Sequence, residues 1–278
     1  MPIPDDAAVG RVLAEAAIDR REARLLLSLA SGVAEAALAA FPERQVESRV
    51  HDRFLDWARR RRCGEPVAYL VGRREFYGRC FKVSPAVLIP RPETELLVER
   101  TIEHARAFAQ PRILDLGTGS GAIAVTLACE LPDASIAAVD ASAAALGIAA
   151  VNAETLAPGR IELIESDWFS RVDGRTFDLI VSNPPYIAAG DAHLVQGDLR
   201  FEPHAALVGG IAGMQCIASI VAAAAGHLTA GGWLLLEHGF DQGGPVRDHL
   251  RAAGFEEIDT WLDLAGLERI SAGKLPTA

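Results

Sequence analysis

The spacing of apolar positions changes character twice along the chain. Over residues 7–62 apolar side chains recur at helical intervals, most plainly at Val46, Val50, Phe54 and Trp57, within stretches rich in Ala, Leu and Arg. Breaks near Gly32 and Pro42 divide this region into several short predicted helices. Then the runs shorten. Val67-Ala-Tyr-Leu-Val71, Glu75-Phe-Tyr77 and Cys80-Phe-Lys-Val83 read as short strands around Gly72 and Gly78, which predicts a hairpin connector. Ser84-Pro85 and Ile89-Pro-Arg-Pro92 mark a boundary before a helix beginning near Glu93.

From Arg112 onward, apolar strand-like runs alternate with helical ones. Strands are predicted at Arg112–Leu116, Ser135–Asp140, Ile161–Ile164, Phe177–Ser182 and Trp233–Glu237. Helices are predicted from the first strand's loop to about Glu130, and over 142–156, 213–226 and 245–253. Such alternation implies a mostly parallel sheet with helices on both faces. The pattern contains no internal repeat.

Composition adds little to this picture; charge adds more. Half of the 278 residues are hydrophobic, enough for a substantial core. The net charge is −10, from 27 basic and 37 acidic residues. Residues 1–82 hold 15 of the basic and 12 of the acidic side chains, so the remainder is strongly acidic. An acidic second half argues against non-specific binding to a nucleic-acid backbone, which needs clustered positive charge. Arg59–Arg62 with Arg73, Arg74 and Arg79 form a local basic cluster, read first as a helix end whose cations favour the C-terminal dipole.

The opening Met1-Pro-Ile-Pro-Asp-Asp6 lacks the charged and apolar regions of a signal peptide, and no apolar run reaches the length of a membrane span. Cys63, Cys80, Cys129 and Cys216 are scattered, which fits reduced thiols in a cytoplasmic protein. The seven histidines show no metal-ligand spacing.

Two segments carry chemistry. Asp115-Leu-Gly-Thr-Gly-Ser-Gly121 follows a strand and opens a helix, and Asp140 ends the next strand. Glycines there permit a tight turn and let a ligand approach the backbone and the helix N-terminus. This pattern fits an adenosine-type ligand in a doubly wound sheet, and Gly117-x-Gly119-x-x-Ala122 suits a dinucleotide equally well. Asn183-Pro184-Pro185-Tyr186, at the end of the 177–182 strand, points to methyl transfer onto a planar NH2. The Asn183 oxygen and the Pro184 carbonyl can both accept from one NH2, which orients a nitrogen whose lone pair is delocalised. The tandem prolines stiffen the turn, and Tyr186 offers a flat face. If the strand ending at Leu116 neighbours the one ending at Ser182, both loops meet at the crevice where open α/β sheets bind ligands.

The chain resembles the peptide chain release factor N5-glutamine methyltransferases (the PrmC/HemK family). Carrying the resemblance are Gly64–Leu70, Arg74-Glu-Phe76, Leu88–Glu95, Ile113–Ala124, Ser166-Asp-Trp-Phe169, Val181–Ile187, Arg200-Phe-Glu-Pro203 and Leu234–Gly239. Asn-Pro-Pro-Tyr alone is shared with adenine-N6 DNA methyltransferases, which would act on a flipped base. A non-catalytic binding module is the remaining alternative.

The resemblance implies an α/β, Rossmann-like class I methyltransferase domain over 91–278, preceded by a small all-helical substrate-docking domain over 1–72 and a β-hairpin linker over 73–90. It implies transfer from S-adenosylmethionine, leaving S-adenosylhomocysteine, to the Gly-Gly-Gln glutamine of bacterial class 1 release factors, with no stable nucleic acid and no membrane as partner. By the same resemblance Gly117, Thr118, Gly119, Ser120 and Gly121 lie against the methionine part and Asp140 holds the ribose. Asp167 and Trp168 flank the adenine. Asn183, Pro184, Pro185 and Tyr186 hold the substrate, with Asn183 between it and the cofactor. Glu202 is read as fixing the loop that closes over the substrate, Arg91 as ordering the connector, and His238 as a hydrogen-bonded core or rim residue.

Overall fold

The computed structural model describes residues 7–277; the opening Met1–Asp6, read above for signal-peptide features, lies outside the described residues. The chain divides into two compact units, Met1–Gly72 and Arg73–Ala278.

The first unit is helical apart from a two-strand ribbon. Its elements are β1 (Ala7–Ala8), α1 (Val9–Glu15), α2 (Arg20–Ser31), α3 (Glu35–Ala40), β2 (Gln45–Val46), α4 (Ser48–Arg62) and α5 (Val67–Val71). Helix α2 starts where Asp19 accepts from the Arg21 and Glu22 amides (2.8 and 3.2 Å), and it ends at Gly32 in a left-handed conformation. Val12, Leu26, Leu27 and Phe54 are fully buried at the centre of the core. The arginine run at the end of α4 is largely paired: Arg59 with Asp56 (2.5 Å), Arg60 with Glu65 (2.5 Å) and Arg61 with Glu22 (2.8 Å).

One expectation is corrected here. Val67–Val71 is a helix, not a strand. Pro66 supplies the N-cap position and its carbonyl accepts from Tyr69 and Leu70 (3.0 and 3.1 Å). Gly72, at φ +75°, closes the turn by donating to Ala68 (2.8 Å). Five apolar residues between a proline and a glycine suit one helical turn as well as a strand, and the flanking caps decide the matter.

The second unit opens with a hairpin, β3 (Arg73–Phe76) and β4 (Arg79–Lys82), in which Phe76 pairs with Arg79. The two residues between, Tyr77 and Gly78, both have positive φ (51° and 69°), as a two-residue hairpin turn requires. Then follow α6 (Thr94–Ala105), β5 (Arg112–Leu116), α7 (Ala122–Glu130), β6 (Ser135–Asp140), α8 (Ala143–Leu156), β7 (Ile161–Glu165) and β8 (Phe177–Ser182). A loop with short 3-10 turns leads to α9 (Gln215–Ala224), β9 (Leu228–Glu237), α10 (Gly243–Ala252), β10 (Glu256–Leu262) and β11 (Glu268–Lys274).

The strands form one seven-stranded sheet in the order β10-β11-β9-β8-β5-β6-β7. The five strands from β9 to β7 are parallel, and the closing β10–β11 pair is antiparallel. Alternate side chains feed two cores. Ile113, Leu179, Val181 and Leu235 join the core that includes Leu97, Val98, Ile123 and Leu127. Leu114, Ile180, Leu234 and Leu236 join the core that includes Ile217, Ile220, Val246 and Leu250. Helices therefore cover both faces, and the near-continuous apolar reading of β5, β8 and β9 follows from burial on both sides. Among the described residues no helix is long and apolar enough to cross a membrane.

Candidate active site

Strand order reverses between β5 and β8, which lie side by side with Leu116 opposite Ser182. The Ser182 hydroxyl donates to the Leu116 carbonyl (2.7 Å), fastening the two strand ends together. The loops leaving these ends diverge onto opposite faces, and a cavity of about 380 Å³ opens beyond them. Gly117, Gly119, Asp140, Asp167, Trp168, Asn183 and Pro185 line it, together with Ala86–Leu88, Pro203 and Cys216. Burial pushes the Cys216 thiol up from its ordinary range.

The glycine loop forms one wall. Gly117, Gly119 and Gly121 all have positive φ (72°, 55° and 80°), a conformation L side chains rarely adopt. Asp140 clasps the loop from the neighbouring strand: one carboxylate oxygen accepts from the Gly119 amide and the other from the Ser142 amide, both at 2.9 Å. Asn152 of α8 ties the loop to the hairpin by donating to the Ser120 carbonyl (2.8 Å) and the Lys82 carbonyl (3.0 Å). Thr118 and Ser120 are buried and do not line the cavity, and neither does Gly121. The Thr118 hydroxyl instead donates to Asp115 (2.6 Å), which is fully buried and whose pKa burial pushes up to about 7.

Trp168 closes this wall. A Cβ on Gly117 would lie 3.5 Å from the indole ring, so the ring rests on the glycine. Trp168 itself has φ +46°, a strained backbone for a bulky residue, and the Ser166 hydroxyl donates to its carbonyl (2.9 Å).

The acceptor loop, Asn183–Ile187, forms the other wall. Asn183 Nδ2 donates to the Thr94 hydroxyl oxygen (3.0 Å). Pro184 and Tyr186 do not line the cavity. The Tyr186 hydroxyl turns inward and donates to Glu237 Oε1 (3.3 Å). Gln242 holds the loop by donating to the Tyr186 carbonyl (2.9 Å), and Ile187 exchanges backbone hydrogen bonds with Leu207 and Gly209 (both 2.9 Å). A Cβ at Gly209 would stand 2.3 Å from the Pro185 carbonyl oxygen, and one at Gly213 would stand 2.3 Å from that of Tyr186. Only glycine lets these strands of loop lie against each other.

Glu237 ends β9 and is fully buried; burial pushes its pKa up to about 7, with the Thr94 hydroxyl, Tyr186 and Arg269 opposing the rise. Desolvation likewise pushes the Tyr186 phenol up. Glu202 has no exposed side-chain surface; it accepts from the Ile89 amide (3.1 Å) and pairs with Arg91. It thus ties the Ile-Pro-Arg-Pro connector to the segment that follows the acceptor loop. His238 is buried, its Nδ1 donating to the Gly239 carbonyl (2.9 Å) and its Nε2 accepting from Ser271 (2.8 Å); burial pushes its pKa down.

Thr94, Gly209, Gly213, Glu237 and Gln242 hold the acceptor loop in place and have no role in the sequence reading, although Thr94 and Glu237 stand within segments that carry the resemblance. Glu237 alone carries a signal in the sequence: a carboxylate closing the run Trp-Leu-Leu-Leu is bound for burial and needs partners.

Two family descriptions match the chain, PrmC N-terminal domain over residues 8–72 and Methyltransferase small domain over 92–199. Among solved structures, a methyltransferase from Pyrococcus furiosus shares the fold at a TM-score of 0.53 and 18% identity, covering 80% of this chain and 99% of that one. The release factor glutamine methyltransferase of Burkholderia pseudomallei is 46% identical over 98% of this chain and 98% of its own length. That of Neisseria gonorrhoeae is 49% identical over 91% of this chain and 92% of its own. Identity at that level over nine-tenths or more of each chain makes this chain a member of the release factor glutamine methyltransferase family.

Proposed function

We propose that this protein transfers a methyl group from S-adenosylmethionine to the side-chain amide nitrogen of the glutamine in the Gly-Gly-Gln motif of bacterial class 1 peptide chain release factors. The observation that carries the reading is the setting of Asn183 on the cavity wall. Its amino end is engaged by Thr94. Its carbonyl end is left to accept from an incoming NH2.

The cavity suits the cofactor. Each Asp140 oxygen accepts one backbone amide and keeps a lone pair for a ribose hydroxyl. Trp168 gives a flat apolar wall for an adenine, with Asp167 beside it. The glycine loop, which presents Gly117 and Gly119 to the cavity, receives the methionine portion. When bound, S-adenosylmethionine supplies an electrophilic methyl carbon: the C–N bond forms as its C–S bond breaks, and S-adenosylhomocysteine leaves.

The protein's own contribution is orientation. Asn183 Oδ1, on the cavity wall, accepts one N–H of the glutamine, and the Pro184 carbonyl, set back from that wall, accepts the other once the side chain is seated, which aims the nitrogen lone pair at the methyl. The methylated amide nitrogen is acidic and releases its extra proton to water. Tyr186 acts from behind the wall, anchoring the loop through Glu237.

Incubation with S-adenosylmethionine and an unmodified release factor, followed by peptide mass spectrometry, tests the reading. One added methyl on the Gly-Gly-Gln glutamine is expected. Cofactor binding without transfer to a folded release factor would overturn it and favour an adenine acceptor.

A further inference from the structure

An asparagine amide carries its oxygen and its NH2 at two ends of nearly equal shape, and a half-turn about the terminal bond exchanges them. Only one orientation serves an NH2 acceptor. With the ends exchanged, the Asn183 NH2 would face the substrate NH2, and neither could accept. Thr94, the first residue of α6 and 5% exposed, bonds the Asn183 side chain. A hydroxyl can either accept or donate, and here that of Thr94 accepts from the Asn183 NH2, which leaves Oδ1 at the other end.

Behind it lies the Glu237 carboxyl, whose pKa the Thr94 hydroxyl helps to hold down. Glu237 Oε1 takes the Tyr186 hydroxyl, and Oε2 accepts no close hydrogen bond. The other charged groups facing this carboxyl are Arg269 of β11 and Glu93 ahead of α6. Tyr186 donates to this buried carboxyl, while Thr94 accepts from Asn183 Nδ2 at 3.0 Å.

We propose that Thr94 is a positioning residue for methyl transfer: buried at the start of α6, it accepts from Asn183 Nδ2 and holds Oδ1 toward the acceptor amide. This rests on the reading of Asn183 given above. Thr94 touches neither reacting atom. It acts by removing the unproductive rotamer of the residue that does, and its β-branched side chain, stiff about χ1, suits that task.

The test uses the full chain, a release factor and S-adenosylmethionine, with four variants. Thr94→Val keeps the shape and deletes the hydroxyl; it should lower kcat about tenfold, the worth of one well-placed hydrogen bond, and leave KM and cofactor affinity within about twofold. Thr94→Ser should restore most of kcat. Asn183→Ala should lower kcat further, and adding Thr94→Val to it should cost nothing more, because the two act through one contact. Thr94→Ala replaces the valine variant if that one fails to fold.

Wild-type kcat in Thr94→Val would overturn the proposal. So would a loss that falls equally on cofactor affinity and is not rescued by serine, or a full loss on the Asn183→Ala background. Wild-type kcat in Asn183→Ala would instead remove Asn183 from the chemistry, and with it the reading on which the proposal stands.

Discussion

The glycine loop and the acceptor loop face each other across one cavity, yet they are held by partners at very different distances along the chain. On the glycine side, Gly119 bonds Asp140, 21 positions away, and Ser120 bonds Asn152, 32 away. On the acceptor side, Asn183 bonds Thr94 across 89 positions, Tyr186 reaches Glu237 across 51, and Gln242 reaches Tyr186 across 56. Ile89 and Glu202, which close the same side, are 113 apart. The glycine loop is clasped within one local βαβ stretch, by Asp140 and Asn152. The acceptor side is assembled from four separate segments, and its geometry depends on the whole sheet being complete.

Breaking the acceptor side should therefore damage turnover, and breaking the glycine side should damage cofactor binding. The largest effect is expected for Asn183→Ala: kcat should fall by at least about a hundredfold, as loss of orientation at a reacting atom does, with cofactor affinity nearly unchanged by calorimetry. Asp140→Ala should do the reverse. Its two amide contacts and its ribose acceptors go together, so cofactor Kd should rise roughly thirtyfold, a cost of about 2 kcal/mol on the scale of charged hydrogen bonds. Should Asn183→Ala weaken the cofactor as much as Asp140→Ala does, the division between the walls is wrong.

Gly209→Ala tests whether the acceptor loop needs its neighbour to come so near. The added methyl meets the Pro185 carbonyl at 2.3 Å, so the loop must shift. Overpacking of this kind costs about 1–3 kcal/mol, and kcat should drop with stability in thermal melts. An active, fully stable variant would mean that the contact is dispensable.

The smallest effect is a pH dependence that both walls share. Asp115 lies under the glycine loop and Glu237 behind the acceptor loop, each with its pKa raised to about 7 by burial. A carboxyl whose folded pKa is raised binds its proton more tightly in the folded state. Stability from each is thus present at low pH and is lost as pH climbs from its ordinary value, 3.8 for Asp115 and 4.5 for Glu237, through about 7. Asp115→Asn and Glu237→Gln should each flatten this slope. Relative to wild type they should gain a few degrees of Tm between about pH 5 and about pH 8. A parallel pH profile in both variants would show that these groups do not titrate in that window.

The same contrast explains what a reader of the sequence alone can see. Gly117 to Gly121 and Asp140 declare themselves because a tight turn and a ribose acid sit at fixed offsets within one supersecondary unit. Asn183-Pro-Pro-Tyr declares itself by composition. Thr94 does not, since one buried threonine at a helix start resembles any other N-terminal residue. Nor do Gly209 and Gly213, whose need is set by loops that meet only in the fold. The strand β10 is hidden for another reason. Glu256, Glu257 and Asp259 stand on an edge strand, and a register shift between Glu256 and Asp259 interrupts the alternation that would mark it. Val67–Val71 reads as a strand because a run of five apolar residues is too short to display a period.

Strand β11 carries a consequence for how the protein is made. It pairs with β9, setting Ile270 opposite Glu237, and Arg269 and Ser271 bond His238 at the end of that strand. Arg269 also faces the Glu237 carboxyl and the Tyr186 phenol. The β11 residues leave the ribosome after the segments that wall the cavity. A nascent chain that has just exposed Leu262 already holds its glycine loop and Asn183, but β9 still has an open edge and Glu237 a solvated, unconstrained carboxyl. The backing of Glu237 and Tyr186 therefore waits for β11, which is synthesised after every segment that walls the cavity.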